Sequence, residues 1–204
     1  MVSARRLLVN LSFRESRGWT GWLAAALLVL AAPLSAKVVE QLDYAHYEVD
    51  PEGYDKLYQA VNAATPVKID GKTFHGLTKW HIKWNYWFDT DEDGACAITR
   101  TKVTLTATIT LPELVNSEDW QDEIFDTYLE ALTEHEMGHY EISQEAAQAI
   151  DEALQSVDAE DDCSTLKQVA NQSARDLLNE YKQAERDYDK RTDHGRTQGA
   201  RLRD

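Results

Sequence analysis

"TEHEMGHYEI", Thr133–Ile142, decides how this chain is read. It contains His-Glu-x-x-His, and the surrounding periodicity says which element carries the motif. Phe125, Tyr128, Leu132, His135, His139, Ile142, Ala146, Ile150, Ala153 and Val157 recur every three or four residues, the period of an amphipathic helix. His135 and His139 therefore share one helix face, about 6 Å apart. Two imidazoles at that spacing can converge on one tetrahedral zinc ion, with Zn–N distances near 2.0–2.1 Å. Glu136 lies about 100° around the helix from His135. There it can take a proton from water without being a ligand itself. Two imidazoles within an apolar stripe need partners, and a metal supplies both at once. A mid-helix glycine costs roughly 1 kcal/mol relative to alanine, so at Gly138 another element is expected to approach closely.

Ser117, followed by Glu118 and Asp119, supplies a cap for the start of this helix. "DAEDDCS", Asp158–Ser164, interrupts the pattern. A second helix is expected from about Thr165 to Asp187, with Leu166, Val169, Ala170, Leu177, Leu178 and Tyr181 on its apolar face. The end, "YDKRTDHGRTQGARLRD", Tyr188–Asp204, is polar and reads as irregular, with 196–204 as a tail.

The segment before the motif reads as strands. Residues 96–111 alternate cleanly: Val103, Leu105, Ala107, Ile109 and Leu111 face a core, and Thr104, Thr106, Thr108 and Thr110 face away, with Pro112 as the stop. In "WHIKWNYWF", Trp80, Ile82, Trp84, Tyr86 and Phe88 point one way. "DTDEDG", Asp89–Gly94, joins these strands as a hairpin loop. "HYEVD", His46–Asp50, reads as a short strand and Tyr54–Ala64 as a short helix. His46, His75 and His81 read as surface or structural residues, with His81 the one placed to line a cleft.

Residues 1–36 have a different character. Arg5, Arg6, Arg14 and Arg17 precede "GWLAAALLVLAAPLSA", whose strongly apolar run is about 12 residues, too short to span a bilayer. It ends Leu34-Ser35-Ala36, a pattern suited to signal peptidase, so 1–36 reads as a cleaved signal peptide. That segment holds four of the 21 basic and one of the 36 acidic residues, leaving 17 basic and 35 acidic residues and a formal charge of −18. Such a surface disfavours nucleic acid or an anionic membrane as partner. The two cysteines, Cys96 and Cys163, are expected to pair in an oxidising compartment.

A catalytic zinc usually has three protein ligands and one open position. From His139 to Val157 is roughly 27 Å of helix, which puts Glu160, Asp161 and Asp162 out of reach. If the second helix returns antiparallel, it regains the level of His139 near about residue 183. Glu180, Glu185 and His194 are then all candidates, and His194 precedes Gly195, which permits a sharp turn toward the metal.

The chain resembles a bacterial family described as predicted secreted zinc-dependent proteases, otherwise a domain of unknown function. The resemblance rests on Cys96, the strand ending "ITLP" (Ile109–Pro112), "HEMGHYEI" (His135–Ile142), Cys163 and "YDKRTDHG" (Tyr188–Gly195), and runs from about Tyr44 to Gly195. It implies a Zn2+ site on His135 and His139 with Glu136 as general base. "TDHG" belongs to the shared pattern, which favours His194 as third ligand over Glu180 or Glu185. Tyr188 is the expected second donor to a developing oxyanion, and Asp189 or Asp193 an expected orienter of a zinc-bound imidazole.

The expected fold is α+β: a small antiparallel sheet packed on the long His-Glu-x-x-His helix and a second antiparallel long helix, a minimal zincin-like domain over 37–195. The expected activity is secreted or periplasmic zinc metallopeptidase on a peptide or protein substrate, with no stable membrane association after signal cleavage. The motif equally suits a zinc amidase acting on cell-wall peptides; a non-catalytic zinc module would have no use for Glu136. The Thr-rich strand 102–110 is the expected edge for an extended substrate.

Overall fold

The computed structural model describes residues 38–202. The expected signal segment lies outside the described residues. No helix among them is long and apolar enough to cross a membrane. In chain order the elements are β1 (Val38–Val49), α1 (Leu57–Ala64), β2 (Lys68–Ile69), β3 (Lys72–Thr73), β4 (Leu77–Thr90), β5 (Cys96–Leu114), α2 (Asp119–Gln155) and α3 (Cys163–Thr192), with a short 3-10 turn at Arg196–Gln198.

The class is α+β, as expected, but the sheet is mixed. Its order is β1-β5-β4, with β4 antiparallel to β5 and β1 parallel to it. The Thr-rich strand is therefore central and paired on both sides. The expectation that it offers an edge to substrate is corrected: the edges are β1 and β4. β1 is also far longer than the short strand expected at His46. As an edge strand it buries little, so its apolar residues do not alternate.

Alternation in β5 is real. Val103, Leu105, Ala107, Ile109 and Leu111 are buried against the helices. Each of the larger side chains contributes about 1.5–3 kcal/mol by leaving water. The strand runs through Pro112 to Leu114 rather than stopping there. β4 begins at the Leu77–Thr110 pair, so beyond it no strand on that side asks Pro112 for an N–H. Ile82 and the flanking Trp80 and Trp84 of β4 complete this face.

α2 starts with a capping box in which Glu118, not Ser117, is the cap: its side chain accepts from the backbone N–H of Gln121, and Gln121 Oε1 accepts from the Glu118 N–H. Ser117 instead donates to Asp122. Phe125, Tyr128, Leu132, His135 and His139 lie on the buried face, as the spacing predicts. α3 runs to Thr192, five residues past the expected Asp187, and ends at Asp193 with a left-handed φ of 48°. The chain after it is not loose: Leu202 is buried against the core.

The connection between α2 and α3 is held to the start of β5. Cys96 and Glu160 exchange backbone hydrogen bonds of 2.8 and 2.9 Å, and Cys96 is disulfide-bonded to Cys163 with a Cα–Cα distance of 5.2 Å. Replacing both cysteines by serine should lower unfolding free energy by about 2–4 kcal/mol. A urea denaturation midpoint that does not move would show that the crosslink adds nothing to the Cys96–Glu160 bridge.

Candidate metal centre

α2 supplies His135, Glu136 and His139, all buried. α3 crosses this face and brings Glu185 and Asp189 to the level of His139, a little later than the roughly 183 given by helical rise. The connection between the helices, residues 156–162, is bridged to β5 at Glu160. Gly138 makes the crossing possible. A Cβ there would meet the Tyr188 hydroxyl and lie 2.5 Å from Tyr188 Cζ. The close approach expected at this glycine is thus made by Tyr188.

Both imidazoles have their Nδ1 atoms engaged. His135 Nδ1 lies 3.0 Å from Gln198 Oε1, and His139 Nδ1 lies 3.3 Å from Glu185 Oε1. Each partner is an acceptor, so Nδ1 carries a hydrogen, and Nε2 is the nitrogen that gives up its proton when an ion takes its lone pair. Glu185 is itself held by the Trp80 indole N–H at 2.6 Å. The Nε2 atoms of His135 and His139 lie 3.3 and 3.1 Å from a single atom, Asp189 Oδ1. Donors about 2.0–2.1 Å from a tetrahedral ion are separated by roughly 3.3–3.4 Å. His135, His139 and Asp189 can together hold a metal ion, and their donor atoms all lie within 4.8 Å of one another.

His194 sits beside this group. Its Nδ1 is 3.3 Å from the same Asp189 oxygen, and its ring packs on Phe74 at 5.0 Å. It is more exposed than the two α2 histidines. It belongs to a turn in which Asp193, His194 and Gly195 all have positive φ. Gly195 is required there twice over, by its φ of 80° and because a Cβ would lie 2.9 Å from His135 Cγ. Glu180 does not join the cluster, and Glu185 contacts it through His139 Nδ1.

Tyr188 stacks on His135, with ring centroids 5.1 Å apart and planes 10° apart. Its hydroxyl donates to the His135 carbonyl at 3.2 Å. It does not line the cavity described below; here it fixes the His135 ring. Glu136 is held from the sheet side. The Thr78 hydroxyl lies 2.8 Å from both its Oε2 and its carbonyl oxygen, and Gly76 leaves the space that Glu136 Oε1 fills. Burial raises the Glu136 pKa, with the Thr78 hydrogen bond and the two histidines opposing.

Charge in the cluster is strongly coupled to its partners. Burial disfavours a charged His139, but hydrogen bonds to Asp189 and Glu185 outweigh it and push its pKa to about 9. Burial likewise acts against ionised Asp189, and hydrogen bonds to His135 and His139 hold it well below the usual carboxylate range. The cluster opens on a cavity of about 1310 Å³ that is also lined by His75, Gly76, Thr78 and Tyr128. His75, not His81, is the further histidine at this cleft. Its Nδ1 lies 2.7 Å from the Tyr128 hydroxyl, and burial lowers its pKa to about 4. His81 points to the exposed face of β4 because the strand alternates. Gln198, Trp80 and Thr78 carry no motif, and only the contacts of the fold single them out.

Residues 44–195 match the family described as "Bacterial protein of unknown function (DUF922)". The match spans well over half of the chain, which therefore belongs to that family. Comparisons with curated proteins and with solved structures gave no match.

Two outcomes follow for metal binding. If the cluster takes a divalent ion, Asp189→Ala should weaken affinity for it by more than about 100-fold and His194→Ala by about 10-fold, the size typical of a residue behind the ligands. The opposite order, by competition with a chelating dye, would make His194 the ligand and Asp189 its orienter. Because metal must displace the proton that His139 holds up to about pH 9, apparent affinity should rise with pH and level off above that value. Proton release at pH 7, measured by calorimetry in buffers of different ionisation enthalpy, checks this.

Proposed function

We propose that this member of a bacterial family is an exported zinc metallopeptidase, with the ion held by His135, His139 and Asp189 and Glu136 as general base. The supporting observation is the convergence of two Nε2 atoms and one carboxylate oxygen at a cavity wall, directly beside a buried glutamate. Export is supported by the Cys96–Cys163 disulfide and by the composition of residues 1–36. Zinc, when bound, supplies a Lewis acid that polarises an amide carbonyl and makes nearby water more acidic.

The chain's own residues would do the rest. Thr78 occupies Glu136 Oε2, and no hydrogen bond among the described residues occupies Oε1, so Oε1 is the atom that takes the proton from the attacking water. A pKa raised by burial favours Glu136 holding that proton for transfer to the leaving amine. Gln198 and Glu185 would keep both Nδ1 positions protonated, which leaves the Nε2 atoms as the ones to hold the ion. Tyr188 holds the His135 ring in place. No strand among the described residues pairs with the outer edge of β4, and its first residues adjoin Glu136 through Thr78. An extended peptide would add there, antiparallel or parallel, and cross the ion.

Glu136→Gln is the decisive variant. It should retain zinc at the wild-type ratio and lose at least about 100-fold in cleavage of a broad peptide library. Wild-type protein that carries zinc and cleaves nothing in the library would overturn the peptidase reading for those substrates.

A further inference from the structure

Beyond residue 36 the chain has twice as many acidic as basic residues, 35 against 17. The cavity beside the metal centre breaks that pattern. Six of the 17 cations line it: Lys56, Lys72, Lys182, Arg186, Arg196 and Arg201. They come from separate parts of the fold, namely the approach to α1, the β2–β3 hairpin, α3 and the chain after α3. Lys182 and Arg186 are one helical turn apart on α3, on the face that also carries Glu185 and Asp189.

Five carboxylates share the lining, but most are held by other groups and leave four of the cations without an ion pair among the described residues. Glu136, Glu185 and Asp189 are engaged with Thr78 and the histidines, and Asp193 pairs with Arg196 at 3.6 Å. Asp70 lies on the β2–β3 turn. Arg186 donates to the neutral Gln183 side chain, so its charge is not offset. Among the described residues, Lys72, Lys182, Arg186 and Arg201 form no ion pair with a carboxylate. A divalent ion at the cluster would add to the positive field. Low-dielectric walls focus such a field within the cavity, while the acidic exterior repels anions elsewhere. Tyr58, Ile69, Phe74 and Leu77 form an apolar part of the wall, with Tyr58 and Ile69 notably exposed.

We infer that the cavity selects carboxylate-bearing peptides: acidic groups meet the arc of Lys72, Lys182, Arg186 and Arg201, and an apolar side chain meets Tyr58 and Ile69. A volume near 1310 Å³ accommodates a short peptide. A long polyanion would have to cross the acidic exterior, which disfavours nucleic acid. This rests on the metallopeptidase reading for its purpose, but not for its measurement, because recognition by charge is separable from cleavage.

The test measures binding, using Glu136→Gln with zinc and the wild-type chain without metal. The probes are three fluorescein-labelled hexapeptide amides, each with one leucine and three glutamates, three glutamines or three lysines. The glutamyl peptide should bind about tenfold more tightly than the glutamine peptide, and this preference should shrink markedly between about 0.05 and about 0.5 M salt. The lysine peptide should bind most weakly. Lys182→Gln/Arg186→Gln/Arg201→Gln alters exposed side chains only. It should keep its zinc content and unfolding midpoint and lose the preference. A glutamine peptide with a free C-terminus that gains as much affinity would assign the arc to the terminal carboxylate; no gain would assign it to side chains. Equal binding of the three amides together with no gain from a free C-terminus overturns the inference. So does tighter binding of the lysine peptide, or a triple variant that keeps the preference. A glutamyl preference without cleavage by the wild type would overturn the peptidase reading alone, and cleavage without any charge preference would overturn this inference alone.

Discussion

Tyr188 lies where a side chain on residue 138 would be, and the rest of the site depends on that contact. Tyr188 can lie against α2 here only because residue 138 has no Cβ, and the approach carries Asp189 and Glu185 onto the histidine face. Once there, Tyr188 stacks on His135 and bonds its carbonyl, so the ring is pinned against rotation. A mid-helix glycine weakens an isolated helix. In α2 that loss is offset by a packed crossing that positions two carboxylates and the turn holding His194.

A second constraint acts at the other end of α3. The Cys96–Cys163 crosslink and the Cys96–Glu160 hydrogen bonds tie the helix start to β5. With both ends fixed, α3 cannot slide along α2 by a turn, a shift of about 5.4 Å that would separate Asp189 from both imidazoles. The candidate metal centre is thus positioned by one helix held at two points, and the sheet supplies the remaining alignment. Trp80 reaches Glu185 from β4, and Thr78 and Gly76 fix Glu136.

The cluster is electrostatically poised. Three imidazole nitrogens surround Asp189 Oδ1, which keeps that carboxylate ionised and draws a proton onto His139 without metal. The same donors that share a proton are arranged to share a cation, and the two compete. Around them, cations that are scarce in the sequence gather on one cavity, so local charge opposes global charge.

Local periodicity determined much of this protein. The helix with His135 and His139 on its buried face, the alternation in β4 and β5, the hairpin at Asp89–Gly94 and the pairing of Cys96 with Cys163 are legible because each depends on spacing within one element or on cysteine count. A close neighbour for Gly138 was legible too, since a glycine inside an amphipathic helix needs a reason. Tertiary structure decided the rest. Which strand is central follows from the β1 crossover, and β1 hides its extent because an edge strand buries few side chains. Which residues meet the histidines depends on the register between α2 and α3, and rise per residue alone does not fix that register. Gln198, Thr78 and Trp80 reach the site from elements distant in sequence, so no spacing announces them. The basic cavity in an acidic chain has the same origin: charges scattered through the sequence acquire a common direction only when the fold turns them toward one space.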